Sequence, residues 1–272
     1  MSVINTNVNA LFSQNAMKVN ARAQSDAMQQ LSTGSRINSA KDDAAGLAIG
    51  QSMTSQVRGL NMAIRNANDG INMMQTAEGA LIEQSNMLQR MRELAVQSAN
   101  GTYSSVQRGY MKTEFDELSS QIDDISADTE WNSLTLLAAA SSDFDFQVGQ
   151  DADQTITVTI GAMTVSALSA SASFDISTAS GASTAITDLD VALEAINSQR
   201  ATIGAGINRL TYAADNLSNI SANVAASRST VNDTDYAEAS TKLSKAQIIQ
   251  QASTAMLAQA NQQPQTVLAL LK

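Results

Sequence analysis

The 272-residue chain has no cysteine, no histidine, one proline and one tryptophan. Each absence removes a class of chemistry. Without cysteine there is no disulfide and no thiolate nucleophile, although this leaves the redox compartment open. Without histidine there is no imidazole general base and no His-centred zinc site such as H-E-x-x-H. Aromatic residues are 4% of the chain while hydrophobic residues reach 43%, so the apolar content is Ala, Leu, Ile, Val and Met. Together with abundant Gln, Asn and Ser, this composition suits long helices packed as rods. No stretch approaches the ~20 apolar residues that cross a bilayer, so no membrane insertion is expected. The opening MSVINTNVNALFSQNAMKVN has neither a basic n-region nor a continuous apolar core. It does not read as a secretory signal, and export of such a chain calls for a dedicated machine.

The net charge is −10, which argues against nucleic acid as a partner. Its distribution says more. Between Thr113 and Gln199 there are fifteen acids and no Lys or Arg, whereas the first 41 residues hold four bases and one acid. Lys242, Lys245 and Lys272 follow the last acid, Glu238. Mildly basic ends and an acidic middle suit ends that associate and a middle that meets solvent.

The strongest periodicity is Leu60, Ile64, Ile71, Met74, Leu81, Leu88, Met91 and Ala95, spaced 4, 7, 3, 7, 7, 3 and 4. This narrow apolar stripe is a heptad seam. A helix from about Asp42 to Ala99 is ~87 Å long at ~1.5 Å per residue. NGTYSS at 100–105 reads as a turn. A second amphipathic helix follows with Met111, Phe115, Leu118, Ile122 and Ile125, expected to fold back antiparallel on the first. The heptad returns as Ile196, Ile203, Ile207, Leu210, Leu217, Val224 and Val231. Short helices stand at both ends: Ile4, Val8, Leu11, Phe12, Met28 and Leu31 at one, Leu243, Ile249 and Met256 at the other. Gly34 is suited to end the first helix, with Ser39 or Asp42 capping the next.

Between the rods the texture changes. TITVTIGAMTVSAL alternates Ile156, Val158 and Ile160 with threonines, and Met163, Val165 and Ala167 resume the alternation after Gly161. Period two about a glycine predicts a β-hairpin there, with FDFQV at 144–148 as a further strand. The Ser/Thr-rich stretch 166–187 reads as loop.

Fold class is therefore mainly α: a long antiparallel coiled-coil or helical-bundle rod built from the N- and C-terminal segments, with a small β-hairpin insert in the middle. Residues 1–41 with 236–272 form an inner terminal-helix assembly domain. Residues 42–140 with 189–235 form the helical rod, and 141–188 a small β/loop variable region. Two narrow seams far apart in sequence satisfy each other in one bundle. The end helices are weak alone, because isolated helices are marginal in water. They are expected to order on stacking, burying Ile4, Val8, Leu11, Val267, Leu268, Leu270 and Leu271 between copies of the chain.

Catalytic and metal readings fail on geometry. Asp42–Asp43 and Asp123–Asp124 are sequence neighbours that point apart on a helix. Gly34 and Gly46 lack the G-K-[ST] of a phosphate loop. DADQ at 151–154, with Asp143 and Asp145 nearby, lacks the spacing of an EF-hand loop and reads as a solvated acidic turn. The methionines at 53, 62, 73, 74, 87 and 91 are packing residues. No cofactor, no metal and no enzyme activity is expected.

Longer motifs carry a resemblance. MSVINTNVNAL, LSTGSRINSAKDDAAGLAIG, RNANDGI, AEGAL and LQRMRELAVQSANGT resemble the N-terminal conserved region of bacterial flagellins. AASRSTVNDTDYAEAS and QIIQQASTAMLAQANQQPQTVLALLK resemble the C-terminal one, so the resemblance covers about residues 1–137 and 190–272. It implies a subunit that self-assembles into a helical homopolymer, the flagellar filament of motility. It implies export unfolded through the flagellar secretion channel to an extracellular flagellum, and addition beneath a filament cap. Partners implied are the export chaperone, the cap, hook-associated proteins and, in a host, Toll-like receptor five and cytosolic flagellin sensors. The receptor-facing motif matches at Arg90, Leu94, Gln97 and Glu114; the chaperone- and sensor-facing tail matches at Leu268, Leu270 and Leu271. The short middle implies little additional outer domain. Trp131 and Ser133 stand where the family has the Phe and Gly of a Phe-Asn-Gly turn, which puts the local turn in question. A hook–filament junction protein and a flagellin-like surface adhesin are the competing readings.

Overall fold

The computed structural model describes residues 6–138, 141–169 and 174–269, with the side chains of Ser141 and residues 263–269 outside it. Among the described residues, six helices and four strands follow in the order α1 (Val8–Thr33), α2 (Ala44–Ala99), α3 (Ser105–Asp128), β1 (Glu130–Trp131), β2 (Leu134–Thr135), β3 (Ser141–Gln147), β4 (Thr155–Gly161), α4 (Val165–Leu168), α5 (Ala179–Asn232) and α6 (Tyr236–Ala269). They divide into two compact units, Arg58–Ser221 and Met1–Val57 with Ala222–Lys272. The end helices, 26 and 34 residues, are longer than the short ones expected.

In the unit Arg58–Ser221, α2 and α5 run antiparallel. Arg92 meets Asp190 at 2.6 Å, Arg200 meets Glu78 at 3.8 Å, and Ser221 donates to Asn61 at 3.1 Å. The buried seam of α2 is Leu60, Ala63, Ala67, Gly70, Met74, Ala77, Leu81, Gln84, Leu88, Met91, Ala95 and Ser98. Strict 3–4 spacing is the heptad, but seven of its twelve positions are small or polar. Ile64 and Ile71, placed on the seam from sequence, are only half-buried. Their neighbours Ala63 and Gly70 take the inner positions, and at Gly70 the partner elements come too close for a larger side chain. At Gly70 an added Cβ meets Phe146 at 2.8 Å and Leu210 at 3.1 Å; at Gly206 it meets Val158 at 2.9 Å and Met74 at 3.1 Å.

As expected, α3 folds back on α2. It opens with a reciprocal cap: Gln107 N–H donates to Ser104 Oγ, and Ser104 N–H donates to Gln107 Oε1 at 2.9 Å. Phe115 and Ile122 enter the core, and Gln84 ties the layers by donating to Ser126 Oγ at 2.8 Å and to the carbonyls of Ile122 and Met163 at 3.3 Å. The Nε2 donors are matched in this way, while the Gln84 Oε1 is buried without a hydrogen-bond partner among the described residues.

Three local expectations need correction. First, the β-hairpin does not turn at Gly161. Strand β3 pairs antiparallel with β4, Phe144 opposite Val158 and Phe146 opposite Ile156, and the chain reverses through 148–154. Gly161 ends the strand because the amides beyond it are taken elsewhere. Met163 N–H donates to Leu137 O at 2.9 Å and Val165 N–H to Asp123 Oδ1 at 2.8 Å, after which α4 forms. Second, the stretch 166–187 is not all loop, since α5 begins at Ala179. Thr178 Oγ1 accepts from Gly181 N–H at 3.0 Å, capping the helix, and Ala182, Ala185 and Leu189 are buried at helical spacing. Third, α2 is capped by neither Ser39 nor Asp42. Asp43 Oδ1 accepts from Gly46 N–H at 2.8 Å. Asp42 instead closes the preceding turn on Asn38 N–H and on Ser39 N–H and Oγ, and those bonds, the Ser39 hydroxyl first, hold its carboxyl below the ordinary 3.8.

The turn in question at Trp131 and Ser133 is resolved by β1 and β2. Trp131 pairs with Leu134, and Asn132 and Ser133 both take positive φ, 51° and 64°. Two left-handed central residues make a type I′ hairpin, so Ser133 keeps the geometry that glycine adopts without strain.

In the other unit, α1 and α6 pair antiparallel. Asn7 accepts from Ala10 N–H at 3.1 Å, capping α1, and donates to Ala260 O at 2.8 Å. Asn20 donates to Ala246 O at 2.7 Å and to Gln250 Oε1 at 3.2 Å. Gly34 ends α1 in the left-handed region, φ 71°, and its carbonyl accepts from Thr234 N–H at 3.0 Å. Arg36 N–H donates to Asn232 O at 2.7 Å and Nη2 to Val231 O at 2.7 Å, so the segments leaving α1 and entering α6 clasp each other.

Candidate functional site

What the α1–α6 pair buries is small. Ala10, Asn20 and Ala27 of α1 and Ala239, Ala246 and Ala260 of α6 are closed off. Two helices meeting on alanine approach closely, and the asparagine amides lock their register. The large apolar side chains are left outside: Leu11 is 56% exposed, Phe12 73%, Val19 54%, Ile248 66% and Met256 63%. Phe12 and Val19 line an open groove with Ala16, Ala23 and Ile249. Phe12 with Met256 lines a second one. Val8 is also exposed. Of the predicted assembly residues, Val8 and Leu11 thus stand on the open face. Ile4, Leu270 and Leu271 lie outside the described residues, as do the side chains of Val267 and Leu268. Val19, Ile248 and Met256 extend the face. Their spacing is irregular because the apolar stripe of each helix is shared between an alanine seam and an outer surface.

The second predicted cluster sits where α2 and α3 run together. Arg90 donates through Nε to Glu114 Oε1 at 2.9 Å and through Nη1 to Glu93 Oε2 at 2.9 Å. These hydrogen bonds, Glu93 first and then Glu114, raise the guanidinium above its ordinary pKa. Gln97 is exposed and donates to Tyr103 OH at 3.2 Å. Leu94 is different: it is 3% exposed and part of the core. The fold brings Arg90 and Glu114 together and sets Gln97 on the surface two turns on, while Leu94 is turned into the core. Gln89, Arg92 and Val96, with Glu93 and Gln97, line a shallow open groove along α2.

Elsewhere the acids have structural work. Asp143 and Asp145 accept from the hydroxyls of Thr159 and Thr157 across the hairpin. Asp190 is held by Arg92, and Asp175 accepts from Ser177. Among the described residues no group of three or more carboxylates gathers at one point, and no helix is long and apolar enough to cross a membrane.

A closed helical bundle, and a helix pair that presents its large apolar residues outward, make this a mainly helical protein without a metal-ligating cluster among the described residues. Comparison with known proteins specifies the family. Residues 4–142 match the bacterial flagellin N-terminal helical region and residues 186–271 the bacterial flagellin C-terminal helical region. A flagellin of Halalkalibacterium halodurans is 42% identical over 271 residues, covering 99% of this chain and 100% of that one. The flagellar filament 33 kDa core protein of Treponema phagedenis is 40% identical over 286 residues, with 99% and 100% covered. The crystal structure of Bacillus cereus flagellin superposes with a TM-score of 0.50 at 32% identity, over 56% of this chain and 88% of that one. The chain belongs to the bacterial flagellin family, in a short form. Its relatives are structural proteins of the flagellar filament.

Proposed function

We propose that the chain is the repeating subunit of a flagellar filament and polymerises by covering the outer face of its α1–α6 pair with further copies of itself. One observation supports this above the others: Phe12, Leu11, Val19, Ile248 and Met256 are exposed on a pair whose own interface is alanine. Burying each such side chain contributes ~1.5–3 kcal/mol, and a helical polymer repeats the gain at every subunit. In this reading 1–41 and 236–272 are the assembly segments, and Ile4, Val267, Leu268, Leu270 and Leu271 extend the face. Residues 42–140 and 189–235 form the rod, with 141–188 as its small variable part. The chain leaves the cell unfolded through the flagellar secretion channel. The absence of cysteine and the single proline suit a substrate threaded through a narrow path. The export chaperone, the cap and hook-associated proteins are its bacterial partners.

Seeded elongation tests the proposal. Purified chain lacking residues 266–272, and separately a Phe12→Asp variant, are mixed with filament fragments and followed by sedimentation and electron microscopy. Both are expected to remain soluble without lengthening the seeds; elongation at the wild-type rate by both overturns the assignment. Where the filament meets a host, the Arg90, Gln97 and Glu114 surface of the monomer, backed by Leu94, is the receptor-facing patch. The apolar C-terminal segment faces the cytosolic sensors. An Arg90→Ala monomer that signals as strongly as wild type rules out the receptor assignment.

A further inference from the structure

We propose that the turn joining α2 to α3 is a self-modification site, at which the Asn100 side-chain amide is lost through a succinimide to give aspartate or isoaspartate. The reaction is an attack by the backbone nitrogen of Gly101 on the carboxamide carbon of Asn100. Four features bear on it. The sequence holds a single Asn-Gly pair, and it falls in this exposed turn. Gly101 is exposed, and a Cβ placed on it meets nothing within 4 Å, so no side chain crowds the residue that carries the nucleophile.

The electrophile is activated. Thr102 N–H donates to Asn100 Oδ1 at 3.1 Å. That donor already faces the oxygen on which negative charge develops as nitrogen adds, which is how an oxyanion hole lowers a barrier. The nucleophile is activated as well. The carbonyl oxygen of Asn100 and the nitrogen of Gly101 belong to one peptide unit, and Arg108 Nη2 donates to that oxygen at 3.0 Å. Arg108 is itself aligned by a bond from Nε to Ser98 O at 2.8 Å. When the Gly101 N–H is lost, its charge spreads onto the carbonyl oxygen, where a guanidinium hydrogen bond stabilises it. Arg108 thus acidifies the attacking amide without touching the atoms that react; it is a positioning residue.

The step balances without an added reagent. Hydroxide takes the Gly101 amide proton, the new C–N bond closes the ring, and the Asn100 amide nitrogen leaves as ammonia after taking a proton from water. One water then opens the ring at either carbonyl. Aspartate adds one negative charge beside Arg108. Isoaspartate also inserts a methylene into the main chain and moves the carbonyl that Arg108 holds, one residue before Gly101 and four before the Ser104 cap of α3.

Peptide mapping by mass spectrometry of the full-length monomer, incubated folded at pH 7 to 9, tests this. Asn38 and Asn132, each followed by serine, serve as internal references. Asn100 is expected to convert first, faster as pH rises. Arg108→Gln slows it roughly fivefold, the size of one exposed charge-assisted hydrogen bond. Gly101→Ala slows it about tenfold through the added Cβ. In urea the difference between wild type and Arg108→Gln disappears, which a sequence effect alone does not produce. Arg108→Lys, which keeps a cation at the turn, restores part of the rate and decides the matter should Arg108→Gln lose helical circular dichroism. Equal rates in folded wild type and the folded Arg108 variants, or an Asn100 that outlasts Asn38 and Asn132, overturn the proposal.

Discussion

In the unit Arg58–Ser221, Leu81, Leu88, Met91, Ile122 and Ile196 are completely buried. In α1 and α6 the closed-off residues are Ala10, Asn20, Ala27, Ala239, Ala246 and Ala260, while Phe12, Val19, Ile248 and Met256 face outward. Both regions are built mainly from helices, yet they place their apolar side chains differently. The first gains its stability inside a single chain. The second holds a pair together with close alanine contacts and the Asn7 and Asn20 amides, and leaves its largest side chains exposed. Helical sequence pattern alone does not separate the two uses. What separates them is whether a second element of the same chain reaches the stripe.

The largest effect expected from this contrast compares Leu81→Ala with Phe12→Ala. Leu81 is fully buried, so its truncation costs about 3 kcal/mol of stability. Trp131, packed against the same core, reports the urea transition by fluorescence. Phe12→Ala is expected to leave that transition within about 0.5 kcal/mol. It raises the critical concentration for polymerisation about tenfold, equivalent to losing ~1.4 kcal/mol of contact. If both variants move the urea midpoint equally and leave polymerisation alone, the contrast is broken.

Next in size is a pair of glycines two residues apart on α5. A Cβ on Gly206 meets Val158 and Met74 at 2.9 and 3.1 Å, whereas one on Gly204 meets nothing within 4 Å. Overpacking at Gly206 outweighs the helix-propensity gain of alanine, so Gly206→Ala costs about 1–2 kcal/mol. Gly204→Ala raises stability by up to about 1 kcal/mol. Thermal melts of the two variants, expected to shift in opposite directions, check this. Equal shifts would show that close packing against Val158 and Met74 is not what favours glycine at 206.

Those glycines also mark how far the fold was legible in the sequence. Met74, Leu81, Leu88 and Met91 announced the seam because large apolar residues recur at heptad spacing. Ala63, Ala67, Gly70, Ala77, Gln84 and Ser98 complete it silently, since small and polar residues carry no hydrophobic signal. Gln84 belongs there only because Ser126 and the carbonyls of Ile122 and Met163 receive its amide, partners that are far away in sequence. The hairpin was misplaced for the same reason: alternation continues past Gly161, but tertiary acceptors claim the following amides. Among the site residues, Arg90, Gln97 and Glu114 came from family motifs, and the pairing of Arg90 with Glu114 was not readable from spacing. Val8 and Leu11 were legible as apolar. Their exposure was not, because it depends on α6 offering alanine to α1.

A smaller effect concerns the β1–β2 turn. Ser133 at φ 64° sits where only glycine is unstrained. Ser133→Gly should stabilise the unit by about 0.5–1 kcal/mol, the left-handed strain relieved less the entropy glycine adds to the unfolded chain. The Trp131 urea transition measures it directly. No shift, or a loss, means that Ser133 is supported by its surroundings.

The smallest expected effect sharpens the comparison through pH and salt. In the core unit, hydrogen bonds from Arg92 and the charge of that guanidinium hold the Asp190 carboxyl below 3.8. In the other unit, Asp42 is lowered chiefly by the Ser39 hydroxyl and then by the Asn38 and Ser39 amides. Both groups have folded pKa values depressed below the unfolded one. The stability each contributes is therefore full above the ordinary carboxylate value and is lost as pH falls through the depressed folded value. Melting temperatures of Asp190→Asn and Asp42→Asn should trail wild type at pH 7 and converge with it on the acid side of 3.8. Salt distinguishes them. Asp190 faces a full charge at the surface, so raising ionic strength at pH 7 narrows the Asp190→Asn deficit. Asp42 is held mainly by neutral donors, and its deficit stays. Equal salt sensitivity at both sites would show that Lys41, the last of the influences on Asp42, governs it instead of the Ser39 turn.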